Sequence, residues 1–302
     1  MKKKFSWIIC LAIGVLAFAA CDDKGNNSGG GGGGGDGGGD GGGDGLTGTS
    51  ISVQVEKGSN YSSIIDSVFV VLGWEDDYGW DDEIIARSAY KNGKFTLNLP
   101  DKLGDKFLYP IEDVLGDDDF FDLNKITISN KSAQVTAFSE LEACKNGRYV
   151  GYIYRSNIDT DYLESLFESE DFDEIISLYS KGINGCVYVY SSAPVKVTGS
   201  YTENGNIFGV PGVVTNTANV SLNKGWNVVA QKTSMQVNNS TQTITAKLEM
   251  TSSEPSGLKW YFSNNEDNGY YGVQPSKMGA LKSSSKKSSR LLEKSKTFKF
   301  FR

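Results

Sequence analysis

The strongest constraint on folding is a two-residue rhythm of apolar side chains in short runs. Ile51, Val53 and Val55 alternate with polar residues, and Phe95, Leu97 and Leu99 do so again after Lys91-Asn92-Gly93-Lys94. A strand buried on one face reads this way, because successive side chains point to opposite faces. Asn-Gly between two such runs favours a turn with positive φ at both central positions, and Pro100 ends the second run because it has no N–H to donate. Residues 68–74 form a continuous apolar run and 84–90 alternate. Residues 126–128, 133–138, 149–154, 187–190, 195–201, 213–222, 226–231, 241–250 and 260–262 extend the pattern. The expectation is a mainly β (α+β) chain built as an antiparallel β-sandwich.

Residues 160–181 break that rhythm. Asp161 and Asp171 each stand three residues before a glutamate, Glu164 and Glu174, which is the pattern of a helix start. Leu163, Leu166 and Phe167 form one apolar stripe; Ile175, Leu178 and Tyr179 form another, ended by Gly182. The folded part therefore divides into an N-terminal β part over 47–157, a short helical insertion over 158–182 and a C-terminal β part over 183–280.

The residues ahead of 47 belong to no core. Lys2, Lys3 and Lys4 precede an apolar run of 16 residues, 5–20, that ends in small side chains. A membrane-crossing helix needs roughly 20 residues, so residues 1–20 read as a signal peptide to be removed. Phe18-Ala19-Ala20-Cys21 resembles the lipobox of bacterial lipoprotein precursors, with Phe18 in place of the usual leucine. The resemblance implies that Cys21 carries a thioether-linked diacylglycerol and an N-acyl chain such as palmitate. Each buried methylene contributes about 0.8 kcal/mol, so three chains anchor the protein without help from its surface. Residues 25–45 are almost wholly glycine with Asp36, Asp40 and Asp44 interspersed. Glycine has the most backbone entropy to lose on ordering, so 21–46 reads as a disordered tether with a root-mean-square reach of roughly 25–30 Å. A calcium-binding nonapeptide array would need a large apolar residue in each repeat, and none occurs.

Signal removal takes three of the 30 basic residues and none of the 37 acids, leaving a net charge of −10. An acidic exterior argues against nucleic acid as a partner. The chain has no histidine, which excludes Ser-His-Asp and Cys-His catalysis and the usual catalytic zinc sites. No cofactor or metal is expected. Cys144 and Cys186 remain after Cys10 leaves with the signal and Cys21 takes lipid; an oxidising compartment allows them to pair or to stand as two buried thiols. The 281–302 tail carries eight Lys/Arg against Glu293 alone and reads as a solvated basic tail, with residues 297–301 apolar enough to dock on the sheet as a terminal strand.

Acidic-aromatic clusters are the candidate binding residues. Trp74, Asp77, Tyr78, Trp80 and Asp81 fall in one stretch between two strands. Aromatic faces stack on sugar rings while carboxylates accept sugar hydroxyl protons, so this stretch is a candidate glycan-binding loop; the competing reading has the tryptophans cap the core. Asp117-Asp118-Asp119 with Asp122 and Asn124 offers hard oxygen ligands but no calcium-loop glycine. Asn157, Asp159, Asp161 and Glu168 have EF-hand spacing, yet Tyr162 stands where that loop needs glycine, and helix capping explains the acids more simply. A glycosidase needs only two carboxylates, but no pair is singled out by context. Asp66-Ser67-Val68 resembles a short Bacteroidota O-glycosylation sequence and also suits a strand entry.

Residues 90–100, 147–154 and 222–227 resemble stretches that recur in Bacteroidota (Bacteroidales) outer-membrane and surface lipoproteins, which bring no catalytic motif with them. Aspartate after the lipidated cysteine implies inner-membrane retention in enterobacteria, but Asp22-Asp23-Lys24 is similar to the surface-export signal of Bacteroidota. The resemblance therefore implies outer-membrane anchoring through lipid, extending to the cell surface. The functional expectation is a non-enzymatic binding module for glycan or an envelope protein. Its alternatives are a structural envelope component without soluble ligand and a carboxylate-dependent glycosidase. Replacing Cys21→Ser is expected to move the mature protein from the membrane pellet to the soluble fraction and to remove the acyl mass from its N-terminal peptide.

Overall fold

The alternating runs form strands, and the fold is mainly β. The computed structural model describes residues 50–264 except 77–78, 117–120, 170 and 208–209. Cys21, the tether, Asp77, Tyr78, residues 117–119 and the basic tail lie outside the described residues, as does the side chain of Trp80. The strands are β1 (Ser50–Gln54), β2 (Ser67–Asp76), β3 (Gly79–Ala89), β4 (Lys94–Asn98), β5 (Tyr109–Pro110), β6 (Ile126–Ile128), β7 (Gln134–Phe138), β8 (Glu140–Lys145) and β9 (Arg148–Ser156), followed by β10 (Ile183–Ser191), β11 (Val195–Ile207), β12 (Val210–Leu222), β13 (Gly225–Asn238), β14 (Thr243–Thr251) and β15 (Lys259–Ser263). Helix α1 (Ile111–Gly116) follows β5, and α2 (Thr160–Glu168) and α3 (Phe172–Lys181) separate β9 from β10.

The two layers of sheet are unequal: a β1–β4 pair packs against a 13-stranded sheet whose main path runs β3-β2-β8-β9-β10-β13-β14-β12-β11-β6. The N-terminal and C-terminal strand sets share this sheet, because β10 pairs with β7 and β9 and β11 pairs with β6. Strand pairs are antiparallel except β12 with β14, which run parallel.

Asn92 and Gly93 take φ of 50° and 81°, the double positive-φ turn expected of Asn-Gly. The strands it joins nevertheless part. β3 stays with β2, whereas β4 crosses to β1 in the register Ile51↔Leu97 and Val53↔Phe95. The chain between β1 and β2 fills the space at the turn. Val55 N–H donates to Gly93 O at 2.8 Å, Tyr90 Oη donates to Gly58 O at 2.8 Å, and a Cβ on Gly58 would lie 2.5 Å from Gly93 Cα.

Alternation assigns a core to each face of the large sheet. On one face, Val68, Val70 and Leu72 of β2, Leu141 of β8, Ile153 of β9, Tyr188 of β10, Trp226 of β13 and Trp260 of β15 meet Ile51, Val53, Phe95 and Leu97 of the β1–β4 pair. On the opposite face two smaller cores form: Ile111 of α1 packs over Val135, Val197, Val220 and Val229, and Leu163, Ile175 and Tyr179 of α2 and α3 pack over Met235, Ile244 and Ala246.

The helix starts differ in detail from the expectation. Asp171 caps α3 as expected, accepting from Glu174 N–H, and Gly182 ends it. At α2 the capping residue is Asp159, which accepts from Asp161 N–H; the Asp161 carboxylate is instead taken by the Ser263 hydroxyl of β15. That bond ties the end of β15, which pairs with β9, to the first turn of α2. Gly151 is another element of the same junction: its φ is +145°, and a Cβ there would lie 2.2 Å from Ser263 O and 2.8 Å from the Phe262 ring. Gly151→Ala is therefore expected to lower stability by about 3 kcal/mol in urea unfolding and to expose Trp260 fluorescence, since the backbone of β15 has to move away.

Candidate functional site

The acidic-aromatic stretch between β2 and β3 is a strand pair, with Trp74 opposite Asp81. Trp74 is half-buried against the main core. The Lys106 ammonium lies 3.7 Å above its ring centroid, and Phe107 meets it edge-on at 5.4 Å. Lys106 is held there by Glu83 at 2.6 Å. One face of the Trp74 ring is therefore occupied by a protein cation, and the residue seals the rim of the core.

A second acidic-aromatic surface lies on the large sheet, where the sequence reading singled out no residue. Glu140 and Glu142 are two apart on β8 and so share a face; Leu141 between them and Ala143 after them are fully buried on the other. Across the ladder Glu140 faces Tyr154 and Glu142 faces Tyr152. A register shift after Ala143 then brings Tyr149 opposite Cys144. Phe69 of β2 faces Glu142 on one side, and Tyr261 and Ser263 of β15 face Tyr154 and Tyr152 on the other. Arg87 of β3 faces Phe69, its guanidinium carbon 4.8 Å from that ring centroid, and Asp82, opposite Gly73, lies farther along β3. The resulting face combines carboxylates with the half-buried Tyr149, Tyr152 and Tyr261 and the fully buried Tyr154, and Glu140, Glu142, Tyr149 and Tyr152 belong to none of the three hydrophobic cores.

Burial is the main influence on these carboxyls. It pushes Glu140 up to about 7, with Glu142 adding to the effect, and pushes Glu142 up to about 7, with Asp82 adding. Burial also raises Asp82, helped by Asp81. Tyr149 is raised by burial and then by Glu140 and Glu142. Among the described residues neither glutamate forms an ion pair, whereas Glu56, Glu83, Glu112, Glu249 and Glu254 each lie against a lysine or arginine. At the far end, Tyr154 Oη donates to Asp159 Oδ1 at 3.1 Å and accepts from Thr160 N–H at 2.7 Å, which fixes the entry of α2 beside the face.

The other candidates resolve into structural roles. Cys144 and Cys186 do not form the disulfide considered above: both thiols are free and buried, and burial raises each to about 12. Their strands flank β9, where Cys144 faces Tyr149 while Gly185, next to Cys186, faces Ser156. That offset corresponds to roughly 20 Å along the strand, and a disulfide needs Cα atoms within about 7 Å. Asn157 is spent on β10, donating to Gly182 O and accepting from Asn184 N–H. Asp66 accepts from Asn146 N–H at 2.8 Å and from the Ser67 hydroxyl at 2.7 Å, fixing the entry of β2 on the β8–β9 turn. Among the described residues, no group of three or more Cys, Asp or Glu is arranged to hold a metal, and no helix is long and apolar enough to cross a membrane.

Comparison with protein-family models, curated proteins and solved structures returns no match to the chain.

The two raised glutamates give folding a pH dependence of definite sign. An ordinary glutamate titrates near 4.5, so between about 4.5 and about 7 the folded chain holds protons that the unfolded chain has released. Stability from this pair is therefore full below pH 4.5, falls as pH rises through that window and is level above it. The Glu140→Gln/Glu142→Gln variant is expected to gain on the order of 1–3 kcal/mol over the parent at pH 8 and nothing at pH 4, as read from urea midpoints across the range.

Proposed function

We propose that the chain is a lipid-anchored Bacteroidota envelope lipoprotein, fixed to the outer membrane through Cys21 and carrying a non-enzymatic glycan-binding domain. The acid-and-tyrosine face of β8 and β9 is the binding surface. The observation that carries this reading is the pairing of Glu140 with Tyr154 and of Glu142 with Tyr152, with Tyr149 farther along β9, on a sheet face where Glu140, Glu142, Tyr149 and Tyr152 belong to none of the three hydrophobic cores. Tyrosine rings offer a stacking surface, and their hydroxyls donate and accept. Carboxyls that titrate near 7 add both capacities: the protonated form donates to a sugar oxygen and the ionised form accepts from a sugar hydroxyl.

Catalysis is not part of the proposal. A glycosidase also uses two carboxyls, but its acid and its base sit in environments that drive their titration apart. Glu140 and Glu142 are raised alike and by the same cause, burial, which favours a shared binding role over a division into acid and base. The candidate loop of Trp74, Trp80 and Asp81 takes second place because Lys106 covers the Trp74 ring.

A glycan array probed with the mature Cys21→Ser chain tests the reading. Binding is expected, with at least tenfold weaker affinity for Tyr152→Ala and for Glu142→Gln. Loss with Trp80→Ala alone would move the site to the β2–β3 loop. An array silent for the folded protein would sink the glycan reading and favour a structural envelope component.

A further inference from the structure

One line of facing residues crosses the acid-and-tyrosine face to the point where the described chain ends. Arg87 of β3 faces Phe69 of β2, Phe69 faces Glu142 of β8, Glu142 faces Tyr152 of β9, and Tyr152 faces Ser263 of β15. Directly opposed residues of antiparallel strands share a side of the sheet, so these five side chains lie together. Asn264 alone follows Ser263 among the described residues. The described chain therefore ends at the edge of this face, two strand spacings, or roughly 10 Å, from β8.

Charge around that line is one-sided. Burial raises Tyr152 against the bond from Ser263, and Glu140, Asp161 and Glu164 add to the effect; Asp82 acts in the same sense on Glu142. Arg87 is the cation of the line, and it is stacked on Phe69. Residues 281–302 have the opposite balance, eight Lys/Arg against Glu293 alone, with Phe298, Phe300 and Phe301 near their end. Between the two stand the 16 residues 265–280. A chain spans at most roughly 3.3–3.6 Å per residue, so this connection is long enough to bring the basic segment back over β9 and β8.

We propose that residues 281–302 dock on the acid-and-tyrosine face of their own chain, setting lysine and arginine side chains among Glu140, Glu142 and Asp82 and phenylalanine rings against Tyr149 and Tyr152. Opposite charge selects the surface, and tyrosine rings add to it because their faces attract cations. Connectivity selects the occupant: a tethered segment is present at an effective concentration of about millimolar, which a second copy reaches only in bulk. The β1–β4 pair already covers the other side of β2, β8 and β9. The docking stands on charge and connectivity. Its consequence rests on the glycan reading above, since a docked segment occupies the tyrosines on which a sugar would stack and so competes with it.

A nitroxide spin label on Ser295→Cys in the mature Cys21→Ser chain tests the docking, because Cys144 and Cys186 are buried and the new thiol takes the label. The amide signals of Glu142, Tyr149 and Tyr152 are expected to broaden within one chain, and more than those of the β1–β4 pair on the opposite side. That difference is expected to fall away at about 1 M salt and to weaken in Glu140→Gln/Glu142→Gln. Broadening centred on the β1–β4 pair, broadening only when label and isotope sit on different chains, or no salt-sensitive broadening in the folded protein would overturn the proposal. On a glycan array, changing the eight lysines and arginines of 281–302 to glutamine is expected to tighten binding roughly threefold or more. Unchanged binding would remove the competition, whereas an array silent for both chains would fail the glycan reading and leave the docking to be decided by the spin label.

Discussion

The layers of this fold are held together by one aromatic stack. Phe138 of β7 lies nearly parallel to Tyr188 of β10 at 5.1 Å, Tyr188 is stacked on Trp260 of β15 at 6.1 Å, and Trp226 of β13 meets both Phe138 and Tyr190 edge-on at 5.4 Å. Strands far apart in sequence thus meet in one cluster, and the β1–β4 pair closes over it. Rings of this size bury 150–250 Å² each, which at about 25 cal/mol per Å² corresponds to several kcal/mol per ring. The Trp226 indole also donates to Pro100 O at 3.0 Å, so the exit of β4 is fastened to the sheet by the same side chain that packs beneath it.

The position of that stack determines what the rest of the sheet can do. β10 reaches the stack from one side with β7 and from the other with β15 by way of β9, and no single flat ladder satisfies both neighbours. The sheet therefore forks between Gly185 and Tyr188. The β1–β4 pair covers one face of β2, β8 and β9, and the helices lie over other strands on the opposite face, against Met235, Ile244 and Ala246. At β8 and β9 the opposite face holds Glu140, Glu142, Tyr149 and Tyr152, as an antiparallel sheet packed on one side allows.

Local chemistry in the sequence was legible, and long-range pairing was not. Asn92-Gly93 marked its turn because positive φ is a property of those two residues alone. Asp171 marked the start of α3 for the same reason, since a cap and its N–H are three residues apart. Asp161 misled because its carboxylate is claimed by Ser263, a partner 102 residues away. The β4–β1 pairing was equally hidden: the residues flanking the turn suit a hairpin, and only the packing of Gly58 against Gly93 shows why β4 leaves β3. The acid-and-tyrosine face was written into two strands, Glu140-Leu141-Glu142 and Tyr152-Ile153-Tyr154, each alternating correctly. It becomes a site only when the ladder sets them side by side, which neither strand specifies by itself.

The two acidic-aromatic clusters differ in how they treat charge, and that difference favours the sheet face for binding. Around Trp74 the protein satisfies its own groups: Lys106 covers the ring and neutralises Glu83. A ligand would have to displace that lysine. On β8 Glu140 and Glu142 form no ion pair among the described residues, the nearby Arg87 being stacked on Phe69, and burial raises both to about 7. Threonine or glutamine at these positions would suit the strand without the desolvation that ionised carboxyls incur at neutral pH. Acids here work against folding above pH 4.5, and a local conflict of this kind is expected where a surface serves something other than its own stability. A polyhydroxylated ligand that gave the two carboxyls hydrogen-bonding partners would relieve the conflict, so its binding energy would include what the unliganded sheet forgoes.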